Sequence, residues 1–165
     1  MLRPLRDDDL EAVLALQASA YAGLEESAAA MASRLTRAPS WCFGAETDTG
    51  ELCAYLLTHP WPHLAPPEWN QPLGHLPTPC HHFYLHDLAL GPAARGQGVA
   101  RYLVQHALAQ ARDAKLHEAR LVAVQDSVPF WERLGFHVIR PGAAVAATLH
   151  SYGDDARLMQ QTLTR

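Results

Sequence analysis

No stretch of this 165-residue chain stays apolar over the roughly 20 residues that a membrane-spanning helix needs, so no membrane partner is expected. Cysteine is scarce. Cys42, Cys53 and Cys80 are odd in number and scattered, which argues against a disulfide framework and for reduced thiols in a cytoplasmic setting. Positive charge is not in excess. Thirteen Lys and Arg against 17 Asp and Glu give a formal charge of −4 with His neutral, so nucleic acid is not an expected partner. The first residues, Met1-Leu2-Arg3-Pro4-Leu5-Arg6-Asp7-Asp8-Asp9, lack the charged, apolar and small-residue order of a secretory signal. Internal repeats and low-complexity tracts are absent too.

What remains is ordinary globular material, with 48% hydrophobic and 18% charged residues. A chain of this length buries one core, so a single domain over residues 1–165 is expected. The organising stretch runs from Tyr84 to Ala111. Tyr84, His86, Leu88 and Leu90 alternate with Leu85, Asp87 and Ala89, the period of a strand. Gly91-Pro92 stops it. From Val99 the apolar residues Leu103, Val104, Ala107, Leu108 and Ala111 follow a helical stripe. Between them lies Arg95-Gly96-Gln97-Gly98-Val99-Ala100. A helix N-terminus offers free backbone N–H groups and positive dipole, and glycine lets a ligand approach the backbone. The unit is therefore a candidate phosphate cradle. It is not a P-loop, because Gly98 is followed by Val99-Ala100 rather than Lys-Ser/Thr. Nor is it a dinucleotide loop, because Arg101 stands where a third glycine or alanine belongs.

The rest of the chain reads in order. Leu2–Leu5 is a first strand. A helix begins at Asp7–Asp9 and runs to Gln17-Ala18, and a second covers 25–35. Trp41–Ala45 and Leu52–Thr58 form a hairpin around Asp48-Thr49-Gly50. His59 to Cys80 carries Pro60, Pro62, Pro66, Pro67, Pro72, Pro77 and Pro79 with Trp61 and Trp69. Such a proline load favours a stiff, specific loop, read here as an ordered cover on the substrate side or a stabilising surface loop. Ala119–Val124 is a strand and Val128 starts a short helix. Phe136–Arg140 is a strand, Pro141–Ala147 a small-residue linker, and Ala156–Leu163 the last strand. The expected class is α/β with a mixed, mostly antiparallel sheet flanked by helices.

The spacing Arg-x-x-Gly-x-Ala, from Arg95 to Ala100, resembles the acetyl-CoA loop of the GCN5-related N-acetyltransferase (GNAT) superfamily. Downstream, Phe130-Trp131-Glu132-Arg133-Leu134-Gly135-Phe136 resembles that family's second motif, Phe-Tyr-Glu-x-x-Gly-Phe. Tyr84-Leu85-His86-Asp87-Leu88-Ala89-Leu90 is similar to the matching strand of arylalkylamine N-acetyltransferases, which carry His-x-His there. The resemblance implies a GNAT fold and an acetyl-CoA-dependent acetyl transfer to a primary amine by direct attack in a ternary complex. A small-molecule amine is favoured over a protein amine. It also implies that the loop Arg95, Gly96, Gln97, Gly98, Val99 and Ala100 holds the CoA pyrophosphate. Backbone groups of Leu88, Ala89 and Leu90 would hold the pantetheine arm, with Ser127 and Trp131 lining the channel. A homodimer is compatible with this class of fold.

Such chemistry needs a group that takes the amine's proton. His86 is the first candidate, because an imidazole titrates near pH 6.5 and is largely neutral at pH 7. Tyr84 stands in place of the family's first histidine, so a water chain through Tyr84 and His86 is a further reading. Asp87 points away if the strand is regular, and a bulge would reset that. The family's general acid is the tyrosine whose place Trp131 takes, and an indole N–H does not ionise usefully. Tyr152 is the chosen substitute, with Ser127 through water or Tyr84 as others. The loss of the usual acid leaves a second reading, a catalytically weak CoA-binding sensor. A metal site at Cys80-His81-His82 with His75 and His86 lacks a standard ligand spacing, and no metal is expected.

Overall fold

The computed structural model describes residues 1–164. Seven strands form one sheet: β1 (Leu2–Pro4), β2 (Cys42–Glu46), β3 (Leu52–Trp61), β4 (His82–Leu90), β5 (Glu118–Ala123), β6 (His137–Val138) and β7 (Arg157–Thr162). Their spatial order is β1-β2-β3-β4-β5-β7-β6. Only β4 and β5 pair in parallel among the described residues. The helices are α1 (Leu10–Ala20), α2 (Ala28–Arg37), α3 (Val99–Asp113), α4 (Val128–Glu132) and α5 (Ala143–His150).

Two apolar layers sandwich the sheet. On one face Val13 of α1 and Met31 and Leu35 of α2 pack on Tyr55, Leu57 and Ala89. On the other, Leu103, Val104, Ala107, Leu108 and Ala111 of α3 pack on Phe43, Leu56, Phe83, Leu85 and Leu121. The spacing of those α3 residues puts them on one stripe, which is why the helix lies flat on the sheet. Each fully buried leucine there contributes roughly 1.5–3 kcal/mol of transfer free energy.

The α/β class, the hairpin, the long helix and both motif regions stand where the sequence put them. Three boundaries move. The chain before Leu10 is a 3-10 turn over Asp7–Asp9. The second helix starts at Ala28, because the Ser27 side chain accepts from Ala30 N–H and caps it. Strand β3 runs on to Trp61, with Pro60 opposite Phe83. One expectation is overturned: Pro141–Ala147 is not a linker. Residues Ala143–His150 form α5, since alanine is the best helix former and Leu149 and Val145 find an apolar cluster with Leu158 and Tyr152.

Two irregularities in β4 shape the centre of the molecule. First, Leu57 pairs with Asp87 and Thr58 with Leu85, so His86 is the extra residue of a β-bulge. Second, the β4–β5 ladder ends at Leu85↔Leu121, after which β5 continues along β7 alone. From His86 onward the β5-facing edge of β4 is open.

Candidate active site

A cavity of about 410 Å³ occupies that gap. Its walls come from β4 (Leu85, His86, Asp87, Leu88), β5 and the turn after it (Leu121, Val122, Val124, Gln125), and α4 with its N-cap (Ser127, Phe130, Trp131). Tyr21, Leu24 and Glu26 close it from the α1–α2 loop, Trp69 from the proline-rich segment, and His150–Gly153 from the end of α5 and the turn after it. The lining is mainly apolar. No Lys or Arg lines it among the described residues.

The bulge decides which side chains meet. In a regular strand Asp87 would point away from His86. With His86 as the extra residue, Asp87 falls opposite Leu57, on the α1–α2 face where Tyr84 also lies opposite His59. The sequence has Asp87 facing away only in a regular strand; the bulge is present and resets the register, so Asp87 shares a face with Tyr84. The Tyr84 and His86 rings sit 6.1 Å apart.

His86 is almost completely enclosed. Its Nε2 lies 2.5 Å from Glu26 Oε1. A carboxylate only accepts, so Nε2 carries the proton and Nδ1 keeps its lone pair. That Nδ1 is buried and has no hydrogen-bond partner among the described residues. Burial and the Arg34 charge push the imidazole below its ordinary pKa, against the pull of Glu26. Burial works to raise the Glu26 carboxyl, but His86, Arg34 and the Asn70 backbone N–H outweigh it and hold it below the usual range. Glu26 is fixed further by its own backbone: its N–H donates to Gln17 Oε1 and its carbonyl accepts from Gln17 Nε2.

Asp87 Oδ2 accepts from the Tyr55 hydroxyl at 2.6 Å. Burial drives its carboxyl up to about 7, with the Glu26 charge adding to the rise and the Tyr55 bond opposing it. Arg34 of α2 is fully buried. Its Nη1 donates to the carbonyls of Ala30 and Gln71.

Tyr152 lines the same cavity as His86. Its hydroxyl donates to the Pro67 carbonyl and stands 3.4 Å from that of Tyr84. Burial pushes the Tyr152 phenol up to about 12 and raises that of Tyr84 well above its ordinary value, so both are protonated at neutral pH. Ser127 and Trp131 line the cavity too. Trp131 is also core, edge-on to Phe130 and Phe136.

The loop after β4 has the features of an anion cradle. Gly96 and Gly98 hold φ of +73° and +74°, which only glycine adopts at little cost. Gly98 is the N-cap of α3 and no side chain caps its free N–H groups. Arg95, Gly96, Gln97 and Gly98 are exposed, with Val99 and Ala100 half-buried behind them. On β4, the Gly91 N–H bonds to the Cys53 carbonyl. Alternation in an antiparallel ladder then turns the Ala89 backbone toward β3 and those of Leu88 and Leu90 toward the open edge. The Leu88 carbonyl takes the Tyr21 hydroxyl. A pantetheine arm lying along this edge would meet Leu88 and Leu90, while Ala89 contributes its buried side chain to the α1–α2 side.

The side chains that sequence reasoning missed are Glu26, Tyr55, Asn70 and Arg34. Each acts through a partner far away in the chain. Glu26 and His86 are 60 residues apart, and Tyr55 and Asp87 are 32. Ser27 as a helix N-cap was the one readable signal, and it would have left Glu26 in the loop before α2.

A sequence profile described as the acetyltransferase (GNAT) family matches residues 9–136. Among curated proteins none matches the sequence. Solved structures share the fold at low identity. A GphF GNAT-like decarboxylase in complex with isobutyryl-CoA superposes with a TM-score of 0.80 at 17% identity, over 99% of this chain and 100% of that one. The loading GNATL domain of CurA from Lyngbya majuscula gives 0.81 at 13%, over 99% and 97%. The ribosomal-protein-S18-alanine N-acetyltransferase from Escherichia coli gives 0.71 at 17%, over 100% and 94%.

Proposed function

This chain belongs to the acetyltransferase (GNAT) family, and on that premise we propose that it transfers an acetyl group from acetyl-CoA to a small primary amine with an apolar body. The observation that carries the reading is the Glu26–His86 pair at the cavity wall, with the lone pair of His86 Nδ1 unengaged.

The residues present fit acetyl-CoA. The uncapped first turn of α3 behind Gly96 and Gly98 suits its pyrophosphate, and the open backbone edge at Leu88 and Leu90 suits its arm. When bound, the thioester supplies the activated acetyl group. The chain's own residues do the rest. An amine reaching the cavity as a cation must lose a proton, since alkylamines titrate near pH 10. His86 Nδ1 accepts that proton, directly or through water, while Glu26 holds the ring in the required tautomer and steadies the imidazolium. Asp87, poised to ionise near neutrality, offers a negative charge close by for the ammonium form. Tyr152 and Tyr84 retain their protons; the Tyr152 hydroxyl lines the cavity but donates to the Pro67 carbonyl, and Tyr84 stands behind it at 3.4 Å. Trp131 cannot protonate a departing thiolate, but a thiol of pKa near 8.5 leaves tolerably without help.

The apolar lining and the absence of Lys or Arg among the lining residues support an acceptor, and a donor acyl group, without a carboxylate. Trp69 and Tyr21 are two of the aromatic surfaces that line the cavity and could meet the acceptor's body. A cytoplasmic location accords with the free thiols of Cys42, Cys53 and Cys80.

Thiol release from acetyl-CoA in the presence of an amine panel tests the reading. Turnover is expected with phenethylamine- or alkylamine-like acceptors and not with the matching amino acids. Absence of calorimetric binding with acetyl-CoA on the order of millimolar would sink the proposal. Binding without turnover on any amine would favour the sensor reading, to which the replacement at Trp131 points.

A further inference from the structure

Residues 62–81 join β3 to β4 and contain half of the 12 prolines. The segment is tied down along its length. Leu64 O accepts from Arg120 Nη1, Ala65 O from Trp61 Nε1, Gln71 O from Arg34 Nη1, and the Leu73 N–H donates to Ser33 Oγ. Its stretch 67–70 bridges two loops that line the cavity. At one end the Pro67 carbonyl takes the Tyr152 hydroxyl. At the other, the Asn70 N–H donates to Glu26 Oε2 at 2.8 Å, and Asn70 Oδ1 accepts from the Ser27 N–H at 2.6 Å. Trp69, between them, lines the cavity.

We propose that this strap is a built part of the active site, and that Asn70 is the residue that positions the Glu26–His86 pair while the strap confines the acceptor to a small molecule. The inference rests on the N-acetyltransferase reading for its consequence in turnover, not for its geometry.

Asn70 has φ +61°, a left-handed conformation that asparagine tolerates and most residues resist. From it, one residue grips both Glu26 and Ser27. Glu26 Oε2 is thereby occupied and Oε1 is left aimed at His86 Nε2. A carboxylate without that anchor rotates broadly about its last torsion. The ring of His86 would then lose its fixed acceptor, and Nδ1 its set position. Because other contacts hold the strap at Leu64, Gln71 and Leu73, its placement does not depend on Asn70 alone. The same bridge spans the space between the α1–α2 loop and the turn at Tyr152, and that span is the basis for confinement of the acceptor.

The test uses the full chain and Asn70→Ala, with Asn70→Gly as its partner. Glycine keeps the left-handed backbone and the N–H to Glu26 but loses Oδ1. Two readouts are taken: the downfield NMR resonance of the His86 Nε2 proton, and kcat/KM for the best small amine against a tripeptide amide. In wild type the resonance should be present and the tripeptide unreactive. Asn70→Ala should lose or broaden the resonance and lower kcat/KM by roughly 10–100-fold, the scale of a misplaced catalytic group, with KM for acetyl-CoA unchanged. Asn70→Gly should shift the resonance while keeping it, and recover most of the rate. A wild-type resonance and rate in Asn70→Ala would overturn the positioning role. Should that variant not fold, an unmoved resonance and unchanged rate in Asn70→Gly would overturn it equally. A tripeptide accepted as well as the small amine would overturn the confinement. Failure of wild type to acetylate any amine would remove the N-acetyltransferase reading, and the resonance alone would then decide the role of Asn70.

Discussion

Glu26 Oε1 and His86 Nε2 meet at 2.5 Å, so a bulge in the central strand and the loop between the first two helices are joined by one hydrogen bond. The bond sets the tautomer of His86 and leaves Nδ1 to accept a proton. His86→Ala should lower kcat/KM by roughly 10²–10⁴ if that nitrogen carries proton transfer. Glu26→Gln keeps the size and an acceptor oxygen but removes the charge, and a smaller loss is expected. Steady-state kinetics on both variants across pH checks this, and an unchanged rate in His86→Ala at every pH would remove the residue from the mechanism.

Asp87 makes a separate prediction through its carboxyl, held up at about 7 by burial. Below that pH it is protonated, and above it the charge appears beside the acceptor. The wild-type kcat/KM should therefore climb through about pH 7. Asp87→Asn should erase that limb and leave one at lower pH, where buried His86 titrates. Stability moves in the opposite direction from the rate. A carboxyl raised above its unfolded value contributes stability below the ordinary carboxylate range and loses it as pH rises through about 7. Asp87→Asn should gain on wild type by up to about 4 kcal/mol between pH 4 and 8, read from denaturant melts. An unaltered rate profile would assign the limb to another group.

These two residues mark the limit of what the sequence discloses. The strand, the glycine loop and the α3 stripe are local patterns, and each was legible because periodicity and turn chemistry are written in neighbouring residues. The bulge at His86 was not. It is a register between β3 and β4, settled by where Leu57 and Thr58 find partners some 30 residues away. Glu26 and Asn70 carry no local signature either, since their roles exist only where the strap reaches the α1–α2 loop. Residues 143–150 failed for another reason. Small residues after Pro141-Gly142 resemble a linker, but alanine is also the strongest helix former, and the contact with Leu158 decided between the two.

Trp131 occupies the place of the acid expected from the family motif. If proton delivery to the leaving thiol limits turnover, Trp131→Tyr should raise kcat. The smaller ring leaves space beside Phe130 and Phe136, so a stability loss of about 1–3 kcal/mol accompanies it. Burst-phase kinetics and a thermal melt on the same sample separate the two effects. A fall in kcat with an intact melt would show that the site works without an acid there.

At Gly98 a Cβ would meet nothing within 4 Å, so only the backbone angle of +74° opposes substitution. Gly98→Ala should cost about 1 kcal/mol or more in stability and distort the first turn of α3. Weaker acetyl-CoA binding is expected, by roughly tenfold for each 1.4 kcal/mol of lost contact. Calorimetry on the variant measures it directly. Binding as tight as wild type would show that the loop backbone does not contact the pyrophosphate.

His59 supplies the last prediction, on acid stability. The ring is fully buried, and its Nδ1–H donates to the Pro60 carbonyl at 2.9 Å. Burial holds its pKa down to about 3, with the charges of His86 and Arg34 acting the same way. A histidine depressed in the folded state contributes its full stability above its unfolded value near 6.5. That contribution is lost as pH falls toward 3, up to about 5 kcal/mol in all. The total is comparable with the whole stability of many domains, so acid should unfold the protein. His59→Phe keeps an aromatic ring against Trp61 and Tyr84, whose centroids lie 5.3 and 5.6 Å away, and gives up the bond to Pro60. At pH 7 the variant should be less stable, by about 1 kcal/mol. As pH is lowered to 4 the gap should close and then reverse, because phenylalanine has no proton to bind. Denaturant melts at pH 7, 5.5 and 4 read this directly, and a constant difference between the two proteins would show that His59 does not titrate on unfolding.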